Sequence, residues 1–437
     1  MQFLQEYGLL FLYLLPIAVV LLWRSWARAR TSARQQTLLE ENRKAGLLEP
    51  ASLHPDIDKE ICIGCGSCAA ACPEGDVLGL INNRAELINP SHCIGHGACA
   101  AACPVKAITL VFGTEKRGVD IPTVDKNFET NVPGLFIAGE LGGMGLIRNA
   151  VEQGRQALEA IRKKDGIGSG TDLDVVIVGS GPAGFAATLA AHQYKLRYRT
   201  VEQESLGGTV SHYPRGKIVM TQPVLLPLVG TVKLRETSKE ALLEFWVSTA
   251  KSTGITINFQ ERMESVTRTE SGFVVKTTRG EDRTRMVLLS IGRRGTPRKL
   301  DVPGEELSKV VYRLVDPAQY RGQRVLVVGG GDSAMEAACS IAEELDTHVA
   351  LSYRSDSFSR AKEKNRLRVE QAAKSGKLQI LLKSSVKEIH PHDVVLEHDG
   401  KKIELPNDAI IVSAGGILPT GLLKEMGVEV NTKFGTS

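Results

Sequence analysis

Seven of the eight cysteines fall between Cys62 and Cys103, and only Cys339 lies outside that stretch. Such crowding means either a disulfide framework or a metal site. The spacing points to metal. Cys62, Cys65 and Cys68 are followed by Cys72-Pro73; a second run, Cys93, His96, Cys99 and Cys103-Pro104, repeats the spacing with histidine at its second position. The doubled C-x2-C-x2-C-x3-C-P pattern suits iron–sulfur ligation, and a zinc site has no need of it. Thiolates kept for metal imply a reducing compartment. Gly64, Gly66, Gly95 and Gly97 let backbone amides approach cluster sulfurs, a lever on redox potential.

Two glycine-rich turns form the second constellation. Asp174 to Val178 reads as a short apolar strand, followed by Gly179-Ser180-Gly181-Pro182-Ala183-Gly184 and then a helical pattern. This is G-x-G-x-x-G between strand and helix, where the helix N-terminus receives a pyrophosphate. Glu202 closes the next strand about 20 residues on, where an acid binds ribose hydroxyls. Gly207, Gly208 and Thr209 follow it. The second turn lies in VLVVGGGDSA, in which Gly329, Gly331 and Ala334 fit G-x-G-x-x-A, with Asp332 and Ser333 between. Two such turns suggest two different dinucleotides. After the second, the next strand ends at Ser352-Tyr353-Arg354 with no acid, and Arg354 and Arg360 cluster there with Lys362. Arginine near the ribose suits a 2′-phosphate, so NADPH is favoured over NADH; the competing reading is a solvated basic face.

The cysteine module, about 55 residues, resembles two-cluster bacterial ferredoxins. In such modules the Pro-flanked cysteine crosses to the other cluster. The resemblance implies one [4Fe-4S] cluster on Cys62, Cys65, Cys68 and Cys103, and a second cluster on Cys93, Cys99 and Cys72. His96 leaves three arrangements open: a fourth ligand to the second [4Fe-4S] cluster, an unligated residue beside a [3Fe-4S] cluster, or a hydrogen-bond donor. Imidazole in place of thiolate makes a cluster less negative and should raise its potential.

From Asp172 onward the chain resembles the thioredoxin-reductase-like flavoproteins. The resemblance rests on the two turns, Glu202, Gly207-Gly208, the stretch Ser290-Ile291-Gly292 through Val302-Pro303-Gly304-Glu305, and Ser413-Ala414-Gly415. It implies FAD on the first turn, NAD(P)H on the second, and a nucleotide domain inserted into the FAD domain. Such flavoproteins close with a strand, a Gly-Asp pair and a helix over the flavin. Here the chain stops at Val428 to Ser437, and the matching text, TNVPGLFIAGELGGMGLIRNAVEQG, lies upstream at 130–154 with Glu140 in place of the aspartate. Phe-Gly-Thr occurs at Phe112 and again at Phe434. The economical reading is a circular permutation that puts Gly139 and Glu140 beside the FAD; the alternatives are a segment capping a partner's flavin, or a linker.

The elements that position these groups follow. Gly8 to Trp23 is an uncharged apolar run with Glu6 before it and Arg24, Arg28, Arg30 and Arg34 after it. That order is the reverse of a signal peptide and predicts a single-pass membrane helix over 3–26, with the remainder in the cytoplasm at an inner membrane. A stalk is expected over 27–55, helical over 31–46, and a two-cluster domain over 56–111. The permuted closing segment is expected over 112–164, a Lys/Asp/Gly/Ser linker over 163–171, the FAD-binding domain over 172–294, the NAD(P)-binding domain over 295–404, and a return to the FAD domain over 405–437. The fold class is thus α/β: two Rossmann-like domains, a small α+β ferredoxin-like domain and one membrane helix.

A net charge of +4 over 437 residues, with no basic–aromatic interleaving, argues against nucleic acid. Outside the ferredoxin module there is no Cys-x-x-Cys, so the electron acceptor expected is the cluster pair, locked against the flavin, and not a disulfide. The expected activity is electron transfer between NAD(P)H, FAD, the clusters and a membrane-proximal quinone, cytochrome or other carrier, in a homodimer or a subunit of a membrane complex. Two other readings are open: an electron-delivering subunit similar to the glutamate-synthase small subunit, and a non-catalytic membrane-tethered redox sensor.

Overall fold

The computed structural model describes residues 2–44, 48, 50, 53–93, 95–115, 118–143, 145–213, 218–220, 223–233, 236–293, 295–358 and 361–435, with side chains from residue 14 onward except at 218, 220, 236 and 296. The chain divides into two units. One comprises residues 1–117 with 435–437, the other 118–434.

The first unit begins with a single helix, Gln2–Lys44, that runs through Pro16. The spanning segment expected at 3–26 is not supported among the described residues, where no helix is long and apolar enough to cross a membrane. The side chains of residues 1–13 lie outside those described. The lower end of the same helix packs against the strands Leu78–Ile81 and Arg84–Leu87. Gln35 Oε1 accepts from the Leu80 amide at 2.8 Å, and Asn42 Nδ2 donates to the Ile88 carbonyl at 2.9 Å. Gly79 leaves room for this approach: a Cβ there would lie 2.8 Å from the Gln35 side chain. The expected stalk is therefore docked.

The module itself is built twice over. Two short helices, Ser67–Ala71 and Ala98–Ala101, each follow a left-handed glycine, Gly66 and Gly97. The strand His54–Ile57 pairs antiparallel with Ile108–Val111, joining the two ends of the module. At the seam, the Gly435 amide donates to the Phe112 carbonyl at 2.8 Å.

The second unit holds two parallel-centred sheets. The larger runs in the order Asn258–Phe259, Tyr198–Glu202, Leu173–Val178, Gly280–Leu289, Gly272–Thr277, Met263–Thr269. The strand Leu135–Ile137 also belongs to it and pairs parallel with Val287–Leu289, beyond the point where Gly272–Thr277 leaves off. All three of its residues are buried. The helix Ile147–Ile161 then packs on the first turn's helix, Pro182–Gln193, with Ala157, Leu158 and Ile161 fully buried. The contact is close because residue 154 is glycine: a Cβ there would lie 2.0 Å from the Ala183 carbonyl oxygen. The C-terminal strand Val430–Lys433 pairs antiparallel with Val119–Pro122.

The stretch expected as a linker is pinned. The Asp174 carboxylate accepts from the Gly168 amide at 2.8 Å, and Arg197 donates to the Ser169 and Gly170 carbonyls. A glycine-rich segment is free only until its carbonyls find donors.

The smaller sheet runs Val310–Val311, Ala409–Val412, Arg324–Val328, His348–Ser352, Leu378–Leu381, with every pairing parallel. A three-stranded antiparallel sheet, Ser384–Ile389, Asp393–His398 and Lys401–Pro406, precedes Ala409–Val412 in the chain.

Candidate functional site: two dinucleotide turns and a dicluster module

In the module, Cys62, Cys65, Cys68 and Cys103 line one small cavity, together with Gly64, Gly66 and Ala85. The Pro-flanked Cys103 has thus joined the three cysteines of the other run. Amides face the sulfurs: Ala85 N–H donates to Cys62 Sγ at 3.4 Å and Ala107 N–H to Cys103 Sγ at 3.3 Å. Cys72 lies near enough to Cys93 and Cys99 for its charge to be felt at both. Burial pushes the thiols of Cys68, Cys72 and Cys99 up, and Cys93 to about 11, whereas the Ser67 hydroxyl and amide hold exposed Cys65 below its ordinary value. Buried thiols of this kind become thiolates when a cation compensates them, and a cluster's iron supplies that charge. Among the described residues no group of three His, Cys, Asp or Glu side chains converges on a single ion. The sulfurs surround a space instead, as a cubane requires. His96 carries its Nε2 buried and without a hydrogen-bond partner.

The first turn is held open by glycine. Gly179 has φ +98°, and a Cβ there would lie 2.6 Å from the Ser290 carbonyl. A Cβ on Gly184 would lie 1.9 Å from the Gly179 carbonyl. The helix therefore starts tight against the strand, with Gly181 capping it, Pro182 at its first position and Ala183 buried behind. Glu202 Oε2 accepts from the Ser180 amide at 2.7 Å and from its hydroxyl at 3.1 Å, while Oε1 accepts from the Glu204 amide at 2.9 Å. These bonds aim the carboxylate at the turn. The Gly207 amide donates to the Ser180 carbonyl at 3.0 Å, bringing Gly207, Gly208 and Thr209 to the same place.

The upstream segment reaches this turn too. A Cβ on Gly139, at φ +86°, would lie 2.9 Å from Ala183 Cβ, and the Glu140 carboxylate lies beside Gly292, 3.9 Å from a Cβ there. Gln153 fixes the bend by accepting from the Gly139 amide at 2.8 Å. Gln153 had no sequence signature.

The second turn has the same outline and different furnishings. Gly329 has φ +148° and abuts the Ser413 carbonyl; Gly331 caps the helix Asp332–Ala342, in which Ala334 is fully buried. Asp332 Oδ1 accepts from the Lys362 amide and from Asn365 Nδ2, both at 2.8 Å, with Ser333 adjacent. The Tyr353 ring lies across Gly330, 2.3 Å from where a Cβ would be, and stacks on Phe358 with centroids 5.5 Å apart. Sequence reasoning assigned Tyr353 no part; its signal is an aromatic residue directly after the second strand of the fold. Arg354 is exposed beside it, and Arg360 lies outside the described residues.

The family model for pyridine nucleotide-disulphide oxidoreductases matches residues 176–435, more than half of the chain. The chain belongs to this family. A 4Fe-4S dicluster model matches residues 54–104. Among curated relatives, a ferredoxin–NADP reductase of Ignicoccus hospitalis is 30% identical over 268 residues, 60% of this chain and 83% of the relative. One of Thermus thermophilus is 28% identical over 286 residues, 60% and 81% of the two chains. Among solved structures, the bacillithiol disulfide reductases of Bacillus cereus and Staphylococcus aureus share the fold. Their TM-scores are 0.54 and 0.53 at 24 and 21% identity, covering 59 and 60% of this chain and 82% of each of theirs. The chain is an iron–sulfur, FAD-dependent pyridine nucleotide oxidoreductase, and both turns and the cysteine-lined cavity fit those groups.

Proposed function

We propose that this oxidoreductase takes hydride from NADPH at the flavin lobe and exchanges the electrons with its own two clusters, which in turn serve an outside redox partner. The observation that carries the reading is the union, in one chain, of a two-turn flavoprotein lobe and a module in which Cys103 shares a cavity with Cys62, Cys65 and Cys68. The chemistry of a bound flavin is to convert a two-electron hydride into single electrons, which iron–sulfur clusters carry one at a time. Relatives are named for ferredoxin and NADP, and here a ferredoxin-type module is part of the chain.

In this reading Gly179–Gly184 and Glu202 hold the FAD pyrophosphate and ribose. Gly139 and Glu140 complete the site from upstream as a circular permutation, in keeping with the parallel pairing of Leu135–Ile137. Gly329–Ala334 receives the nicotinamide nucleotide, and exposed Arg354 favours its 2′-phosphate. Thiol chemistry has no part: Cys339 is buried, its thiol pushed up by burial, and the sequence provides no second cysteine beyond the module. A bilayer, and a quinone or cytochrome in it, belong to the proposal through the run Gly8–Trp23 alone, and extraction of cell membranes with carbonate tests that part.

Anaerobic titration of the purified protein decides the central claim. NADPH should bleach the flavin, and the clusters should then become reduced, as followed by electron paramagnetic resonance. Failure of both NADPH and NADH to bleach the flavin sinks the enzyme reading and favours the sensor.

A further inference from the structure

His96 stands where the ferredoxin pattern has cysteine, and the two runs can be compared atom by atom. Cys65 lies between Gly64 and Gly66 at φ +67° and +78°; His96 lies between Gly95 and Gly97 at +75° and +76°. The surroundings correspond as well. A Cβ on Gly64 would meet the Asn83 carbonyl oxygen at 2.1 Å, and one on Gly95 the Leu53 carbonyl oxygen at 2.6 Å. A Cβ on Gly66 would meet Leu80 Cδ1 at 3.3 Å, and one on Gly97 Leu110 Cδ1 at 3.0 Å. The second loop is thus a geometric copy of the first, and residue 96 occupies the place of Cys65.

The imidazole in that place is not an inert replacement. Its Nε2 is buried and makes no hydrogen bond. A buried nitrogen without a partner is costly, and a surface-seeking histidine would escape the cost by turning outward. Nearby His92, by contrast, has its Nδ1 within 3.0 Å of Asn89 Nδ2. Cys93 and Cys99 flank His96 in sequence, and Cys72 lies within electrostatic reach of both. Three thiols and one orphaned imidazole nitrogen match in number and kind the donors that a four-iron cluster needs.

We infer that His96 ligates one iron of the second cluster through Nε2. The two clusters of the module are thereby unequal: one carries four thiolates, the other three thiolates and a neutral imidazole. The inference rests on the dicluster reading. Replacing one thiolate by a neutral donor removes one negative charge from the cluster, so the His-ligated cluster takes the electron more readily than its four-cysteine counterpart. Within the module it is the electron sink.

The test uses the intact holoprotein, purified anaerobically, with histidine labelled with nitrogen-15. Pulsed paramagnetic resonance of the reduced protein should show a strongly coupled nitrogen whose pattern changes with the label. The coupling should be lost in His96→Cys and His96→Ala and kept in His92→Ala. Iron content should be about eight per chain in the parent and in His96→Cys, and the potential of one cluster should fall in His96→Cys while the other stays put. About seven irons in the parent, or eight with no histidine-dependent coupling, as ligation by solvent or by nearby Glu74 gives, overturns the inference while leaving the dicluster reading intact. Four irons or fewer in a folded parent overturns the dicluster reading itself.

Discussion

The two dinucleotide turns share one backbone course and differ in how much room they leave. In the first, the third glycine cannot be exchanged, because a Cβ on Gly184 would sit 1.9 Å from the Gly179 carbonyl oxygen and 2.5 Å from Ser290 Oγ. In the second, the same position is Ala334, whose Cβ is already accommodated against Gly329. The first turn ends at an acid already hydrogen-bonded back to Ser180, while the second ends at Ser352, whose hydroxyl pairs with that of Ser384, and then at an aromatic and an exposed arginine. In the proposed reading the first site holds the resident FAD. The other has an aromatic ring over its glycine and basic charge at its rim, as suits a substrate that comes and goes.

Substitutions that exchange the features of the two turns test this contrast. Gly184→Ala should be the most damaging, costing at least the ~1–3 kcal/mol of an overpacked core, and the protein should emerge from purification without FAD. The reciprocal change, Ala334→Gly, should cost only about 1 kcal/mol in thermal unfolding and leave the flavin bound. Equal damage from the two would dissolve the comparison. Glu202→Ala removes a carboxylate that accepts three bonds. FAD affinity should drop by roughly 10- to 100-fold, the equivalent of ~1.5–3 kcal/mol for a charged hydrogen-bonding group, as read by flavin release on dilution. Arg354→Ala should raise KM for NADPH about tenfold, the measure of ~1.4 kcal/mol, with little change for NADH; equal loss for both nucleotides would remove Arg354 from phosphate recognition.

The smallest effect concerns how each sheet is stapled at the opposite end of its strands. In the larger sheet Arg197 grips Asp174; in the smaller one Arg324 grips Asp408 through paired bonds of 2.6 and 2.8 Å. The Arg324 guanidinium and amide hold the Asp408 carboxyl at about 2, below its ordinary range. A folded-state value below the unfolded one stabilises above about pH 4 and loses that stabilisation as the pH falls towards 2. The pair is part-exposed, so Asp408→Asn should cost about 0.5–1 kcal/mol at pH 7. The gap to the parent should narrow between pH 4 and 2 in urea unfolding followed by circular dichroism. A gap constant across that range would assign the effect to packing.

Spacing made the site legible in advance. The residue types at Cys62 to Cys103 and at both turns leave few other structures, because ligand intervals and phosphate turns are local constraints. The upstream strand Leu135–Ile137 was legible for a different reason: its wording resembles the segment with which such flavoproteins close, and it pairs parallel with Val287–Leu289. What stayed hidden depends on partners far along the chain. Gln35 and Asn42 belong to the stretch read as a stalk and instead bind Leu80 and Ile88. Residues 163–171 read as a linker until Asp174 and Arg197 are seen to hold it. The apolar run near the N-terminus met the opposite difficulty, since the described side chains cover only part of it.

The strand Leu135–Ile137 also has a bearing on biogenesis. Its ladder partner, Val287–Leu289, follows roughly 150 residues later. At a synthesis rate of ~5–20 residues per second, the delay is on the order of ten to thirty seconds. After the N-terminal helix and the cysteine module comes an apolar strand and helix whose Phe136, Leu158 and Ile161 all end fully buried. For that interval the nascent chain carries apolar surface whose partner strand has not yet been made.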